Sequence, residues 1–314
     1  MGGTAGTGKP VVGFVGVGLM GWGMAKNAVE KGWPLRVCAH RKREAVDDLV
    51  GRGAVEVGSI EEMGRSVEIA ALCVTGAPEV AEAVAKLTGE GSTVRIVIDT
   101  STSLPDVTRA LAAQLADKGV TLIDAPLSRT PSHAWEGQLT TYVSGDAAAV
   151  AECRDLLGSW ASVVIETGAP VGAAQTLKLA NNLVAVGYAA LWAEAYALVR
   201  RVGAKPETFR EIVTNSGMNC GNFQNFSKYP CEGDASGHRF SLSNSLKDIR
   251  YYSSIIDSMG LTGMASKGVL EALKAGVNLG MGEKMMPEMA DVFAALNGDR
   301  PWADEIADKK KETN

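Results

Sequence analysis

Residues 11–32 read VVGFVGVGLMGWGMAKNAVEKG, an apolar run rich in β-branched residues that passes into a glycine turn and then into a helical segment. Gly16, Gly18 and Gly21 fit the spacing G-x-G-x-x-G. Between a strand and a helix such glycines serve three ends, namely a tight turn, close approach of backbone to a pyrophosphate, and close packing of helix on strand. The helix N-terminus then offers N–H groups and the positive end of its dipole to the phosphates. A purely structural turn could share the spacing, so the weight falls on the order of the elements around it. That order predicts a dinucleotide site built on Gly16, Gly18, Leu19, Met20 and Gly21.

Outward from this turn, strand-like runs alternate with helical segments as far as Glu166: VVGFV, LRVCA, EIAALCV, RIVID, VTLID, TTYVS and SVVIE. Such alternation predicts a parallel sheet wrapped by helices. Beyond Pro170 only helical patterns remain. They comprise a long apolar segment to about Arg201, then PETFREIV, a Gly- and Asn-rich segment from Asn215 to Gly237, and helices through Leu246, Leu261 and Met285. The expected fold is therefore α/β: a doubly wound Rossmann domain over residues 1–168, then an all-helical substrate and oligomerisation domain over 169–314. The terminal stretches MGGTAGTGK and DKKKETN offer little to bury and read as a flexible arm and a solvated tail.

Composition narrows the function. The chain has 314 residues, 46% of them hydrophobic and 21% charged, which is ordinary for a globular protein. A net charge of -5 argues against a nucleic-acid partner, since neutralising phosphates needs a concentrated basic face. Five cysteines without CxxC pairing point to a reducing compartment, and a cytoplasmic location is expected. The run Leu183 to Val199 is apolar, but Glu194 interrupts it and it falls short of the roughly 20 residues of a membrane span, so a buried core helix is expected and no membrane. The three histidines show no metal-ligand spacing, and no metal is expected.

The second strand should end near the adenosine ribose, where an Asp or Glu would bond the 2'-hydroxyl of NAD. Here the chain carries His40, Arg41, Lys42 and Arg43. An acid would repel a 2'-phosphate, whereas a guanidinium can hold one through two parallel bonds. NADP is therefore expected over NAD, with His40, Arg41 and Lys42 as its contacts; a solvated basic helix start is the competing explanation.

QTLKLANN, residues 175–182, raises the question of catalysis. Lys178 is the only formal charge between Glu166 and Glu194. Lys178, Asn181, Asn182 and Ala185 share one helical face by the i+3, i+4, i+7 rule. A lysine pushed toward neutrality by partial burial can pass a proton to and from a carbonyl oxygen, which a dehydrogenase requires. A snorkelling lysine at a helix edge would leave the same pattern.

Four blocks, GFVGVGLMGWGMAKN, DAPLSRTPSHAWEGQLTTYVSGD, GAAQTLKLANN and FSLSNSLKDIRYY, make the chain resemble the β-hydroxyacid dehydrogenase family. The resemblance implies a Rossmann domain followed by a helical domain, Lys178 as the catalytic residue and Asn182 beside it holding substrate. It also implies that Thr102 and Lys247 lie near the cofactor, with Val74-Thr75 standing where relatives have Leu-Pro after the fourth strand. The substrate loop of relatives reads DAPVSGG; here it reads DAPLSRT, so Ser128 stays while Arg129 and Thr130 replace two glycines, as in the GRT loop of 3-sulfolactaldehyde reductase. Ala174 likewise replaces a glycine. These features predict a nicotinamide-dependent oxidoreductase acting on a small anionic hydroxyacid or semialdehyde, with Ser128, Arg129 and Thr130 on its acidic end, as a homodimer or homotetramer. Imine reduction and a non-catalytic NADP-binding module are the competing readings; imine reductases usually lack the lysine, and a binding module has no use for it.

Overall fold

The computed structural model describes residues 8–40 and 43–312. They divide into two compact units, residues 1–178 and 179–314.

The first unit contains β1 (Val12–Val15), α1 (Gly21–Glu30), β2 (Leu35–Val37), α2 (Glu44–Gly51), β3 (Val55–Glu56), α3 (Ile60–Gly64), β4 (Ile69–Leu72), α4 (Ala77–Leu87), β5 (Ile96–Asp99), α5 (Pro105–Ala116), β6 (Thr121–Asp124), β7 (Leu127–Ser128), α6 (Pro131–Trp135), β8 (Leu139–Val143), α7 (Ala147–Trp160) and β9 (Ala161–Glu166). Six strands form one parallel sheet in the order β3-β2-β1-β4-β5-β6. This is the doubly wound order, in which the chain reverses direction across the sheet between β1 and β4 and opens a crevice at the carboxyl ends of those strands. Strands β1, β4 and β5 are buried along their whole length, as expected when helices cover both faces. Phe14 packs on one side of the sheet with Met24, Leu49 and Trp160, and Val15 on the other with Met63, Leu72 and Leu87.

TTYVS and SVVIE do not join this sheet, contrary to the expectation of one parallel sheet. They form β8 and β9 of a separate three-stranded sheet, with β7 antiparallel to β8 and β9 parallel to it. Only Ala125 and Pro126 separate β6 from β7, too few for the crossover that a parallel neighbour demands. The burial of β8 also alternates, the mark of a strand with one face outside the core.

The helix α8 (Ala173–Arg201) begins in the first unit and continues into the second. The second unit adds α9 (Pro206–Thr214), α10 (Gly221–Glu232), α11 (Leu242–Ser258), α12 (Met264–Asn278), a single 3-10 turn (Met286–Glu288), α13 (Met289–Leu296) and α14 (Trp302–Glu312). Its core gathers Trp192, Tyr196, Phe223, Phe226 and Met289. Here the Gly- and Asn-rich segment holds a helix, α10, which buries Phe223, Phe226 and Tyr229 at helical spacing and receives an N-terminal cap from the Cys220 thiol. Leu261 lies in the connection after α11, where Gly260 takes φ +67°, and not in a helix.

Of the two expected tails, residues 1–7 and 313–314 lie outside the described residues. The Lys9 ammonium donates to the Lys31 carbonyl and lies 4.7 Å from the Trp33 ring centroid, and Asp308 of α14 pairs with Arg300 and Lys311. The long apolar helix also departs from expectation. At 29 residues α8 is long and apolar enough to cross a membrane by length and composition, and only 39% of its most apolar window is buried. Leu177, Val184, Leu191 and Leu198, spaced by seven, line its exposed side.

Candidate active site

The glycine turn sits directly after β1 at the mouth of the crevice. Gly16 takes φ +96°, and a Cβ there would lie 2.2 Å from the Cys73 carbonyl oxygen. A Cβ on Gly21 would lie 2.0 Å from the Gly16 carbonyl oxygen. The chain itself therefore demands these two glycines. Gly18 differs: its φ lies outside the left-handed region, and a Cβ there would meet nothing within 4 Å. What Gly18 leaves is open ground in front of α1. No side chain caps that helix and no acid stands in its first turn; the Trp22 N–H turns back onto the Gly18 carbonyl at 3.0 Å, and the positive end of the helix dipole favours an anion in front of it. These residues fit the pyrophosphate of a dinucleotide. Leu19, 65% exposed, and Met20 complete the turn.

Of the other predicted cofactor residues, His40, Val74, Thr75 and Thr102 follow β2, β4 and β5 at their carboxyl ends. His40 is exposed beyond β2, while Arg41 and Lys42 lie outside the described residues. Arg43 is engaged elsewhere, its guanidinium 3.0 Å from both Asp47 and Glu56. After β4, the Val74 N–H donates to Ser101 Oγ at 3.0 Å and Thr75 is exposed. Half-buried Thr102 follows β5 in the same loop as Ser101.

The loop predicted to take the substrate runs from Ser128, the last residue of β7, to Thr130, just before α6. Ser128 Oγ is 2.8 Å from the Tyr142 hydroxyl on β8. Thr130 Oγ1 is 2.7 Å from Ser132 Oγ and 2.7 Å from His133 Nδ1. Arg129 is exposed at φ +86°, the sole non-glycine residue with positive φ among the described residues, and its guanidinium donates to the Gln138 carbonyl at 2.9 Å. Tyr142 and His133, which touch the predicted loop residues, were not among the residues the sequence pointed to, although both stand in the block that carries the loop.

On α8, Lys178 is half-buried and Asn182 is only 7% exposed, whereas Asn181 is exposed and does not share the buried position of Asn182. The Asn182 amide donates to Asp248 Oδ2 at 2.7 Å. Lys247 pairs with the other oxygen of Asp248 at 2.7 Å and lies 4.9 Å from the Tyr251 ring centroid. Two predicted residues thus meet on one buried carboxylate that sequence reasoning passed over. Its only signal was adjacency to Lys247 in the LKD motif.

The first turn of α8 is held by a second buried carboxylate. Asp124 accepts from the N–H groups of Gly172 at 2.8 Å and Gln175 at 2.9 Å, and from the Ser144 hydroxyl, which itself accepts from the Ala174 N–H at 3.0 Å. Burial pushes the Asp124 carboxyl above its ordinary value, against the hydrogen bonds from Ser144, Gly172 and Gln175 that pull it down.

Residues 11–168 match the family model for the NAD-binding domain of 6-phosphogluconate dehydrogenase, and residues 172–293 match that for the NAD-binding of NADP-dependent 3-hydroxyisobutyrate dehydrogenase. L-threonate dehydrogenase of Cupriavidus necator is 30% identical over 226 residues, spanning 71% of this chain and 76% of the relative. The chain belongs to the β-hydroxyacid dehydrogenase family. Within this family, 3-sulfolactaldehyde reductase of Escherichia coli is 30% identical across 68% of this chain and 72% of its own. The solved 3-hydroxyisobutyrate dehydrogenase of Salmonella typhimurium superposes with a TM-score of 0.80 at 25% identity, covering 90% of this chain and 99% of that one. As a β-hydroxyacid dehydrogenase the protein is an oxidoreductase that uses a nicotinamide cofactor.

Proposed function

We propose that the protein is a reversible, NADP-preferring dehydrogenase of a short anionic hydroxyacid, with Lys178 as general acid in reduction and general base in oxidation. The observation that carries this is Lys178 itself, a half-buried charge on an otherwise apolar stretch of helix, one turn before a buried Asn182. When bound, the nicotinamide supplies or takes the hydride. The chain's residues contribute position and one proton: Lys178 Nζ gives it to the carbonyl oxygen or takes it from the hydroxyl, and Asn182, its amide fixed by Asp248, orients the reacting end. Ser128, Arg129 and Thr130 take the acidic end. Relatives named for L-threonate, 3-hydroxyisobutyrate and 3-sulfolactaldehyde support an anionic substrate. A panel of these compounds assayed with both cofactors tests the reading; turnover of cyclic imines with no turnover of the panel would overturn it.

The NADP preference rests on the run from His40 to Arg43, which carries no acid where a ribose 2'-hydroxyl would need one. Arg41→Ala is expected to weaken NADPH at least about tenfold more than NADH, because a charged hydrogen bond is worth roughly 1.5 to 3 kcal/mol. Equal losses for the two cofactors contradict the assignment.

A second copy of the chain is the proposed cover for the exposed stripe of α8. Apolar residues recurring every seven positions suit packing against another helix. Leu191→Glu is expected to reduce the mass seen by light scattering to that of one chain, and an unchanged mass places the contact elsewhere.

A further inference from the structure

Gln175 is fully buried one turn before Lys178, and it spends its whole side-chain amide on the loop after β5. Its Oε1 accepts from the Ser103 N–H at 3.0 Å, and its Nε2 donates to the Ser101 carbonyl at 2.9 Å and approaches Asp99 Oδ2 at 3.4 Å. Between Ser101 and Ser103 stands Thr102. Gln175 is also the residue whose backbone N–H is fixed by Asp124. One residue thus fastens the start of α8 to β6 through its backbone and to the β5 loop through its side chain. An apolar residue would fill the volume as well, so the hydrogen bonds define an orientation as well as a packing.

We infer that Gln175 is a positioning residue: it sets where Lys178 stands relative to the 100–103 loop, on the reading that Lys178 carries the proton. Position i+3 on a helix lies on nearly the same side, only about 4.5 Å further along the axis. A shift of Gln175 is therefore passed to the lysine almost undiminished. Misplacing a reacting group by about 1 Å can cost on the order of 100-fold in rate.

The pre-steady-state burst of oxidation, followed with substrate and NADP both saturating, separates positioning from mere stability, because its rate constant does not depend on how much enzyme is folded, whereas its amplitude does. The probes are L-threonate and 3-hydroxyisobutyrate with saturating NADP, using whichever the wild type oxidises faster. Gln175→Met keeps the volume and removes every side-chain hydrogen bond; the expected result is a rate constant lower by at least about tenfold, with NADP affinity within about threefold of wild type. Thr176→Val is the control, since among the described residues the Thr176 hydroxyl bonds only to the Gly172 carbonyl just before α8, and it should keep the wild-type rate constant. Gln175→Glu keeps size and the acceptor for Ser103 but cannot donate to Ser101 when ionised; it carries the test if the methionine variant does not fold. A wild-type rate constant at reduced amplitude overturns the inference. Lys178→Ala measured alongside tells the two failures apart: an active alanine variant overturns the role of the lysine, whereas an inactive one beside an unimpaired Gln175→Met overturns that of Gln175 alone.

Discussion

Gly16 and Arg129 hold nearly the same left-handed backbone, φ +96° and φ +86°, at the two loops that the proposed reading assigns to cofactor and substrate. At the first the chain uses glycine, which adopts this region without penalty. At the second it keeps a long cation there, although a side chain in this region costs roughly 1 to 2 kcal/mol. The contrast shows where geometry dictates the residue and where something else does. Arg129 is exposed, and its hydrogen bond to the Gln138 carbonyl offsets that cost only in part. A strained residue on a functional loop is what a ligand contact would retain.

The sharpest break within the cofactor loop comes from its own glycines. Gly16→Ala brings a Cβ against the Cys73 carbonyl and is expected to cost about 3 kcal/mol or more, read as a large fall in Tm. Gly18→Ala should change stability by less than about 0.5 kcal/mol. It should nevertheless weaken the dinucleotide at least about tenfold, because the methyl occupies ground that the phosphates approach. Unchanged affinity in Gly18→Ala would mean that the turn is structural only.

At the substrate loop the expected effects are smaller and run in opposite directions. Arg129→Gly should raise KM for an anionic substrate by about tenfold while leaving NADP affinity in place. Arg129→Ala removes the same cation but keeps the strained backbone, so the glycine variant should be more stable than the alanine variant by about 1 kcal/mol. Thermal melts and KM values for a carboxylate and a sulfonate substrate decide the matter. If KM stays put in both variants, the arginine does not touch the anion; if only the sulfonate suffers, the loop is tuned to sulfonates.

Local rules made the first turn legible. Three glycines between an apolar run and a helical pattern announce strand, turn and phosphate site within 11 residues of sequence, from Val11 to Gly21. The contacts made by the other predicted residues do not have that property. Tyr142 meets Ser128 across 14 positions and Asp248 meets Asn182 across 66, distances at which only the folded chain brings partners together. Strands β3 and β7, two residues each, are too short to carry a period. Helix α10 was hidden because its glycine and asparagine residues mask an apolar spacing that becomes plain once Phe223, Phe226 and Tyr229 are seen in the core. Nor could the backbone of Arg129 be read, since φ at a single loop position follows from the turn that encloses it.

Lys178→Ala tests the proposed chemistry most directly. Removing a positioned acid or base should lower kcat by about 100-fold or more and leave the dissociation constant for NADP, measured by fluorescence, nearly unchanged. A variant that keeps more than about a third of the wild-type kcat, or one that loses activity only because NADP no longer binds, would contradict the role of Lys178 as the proton carrier.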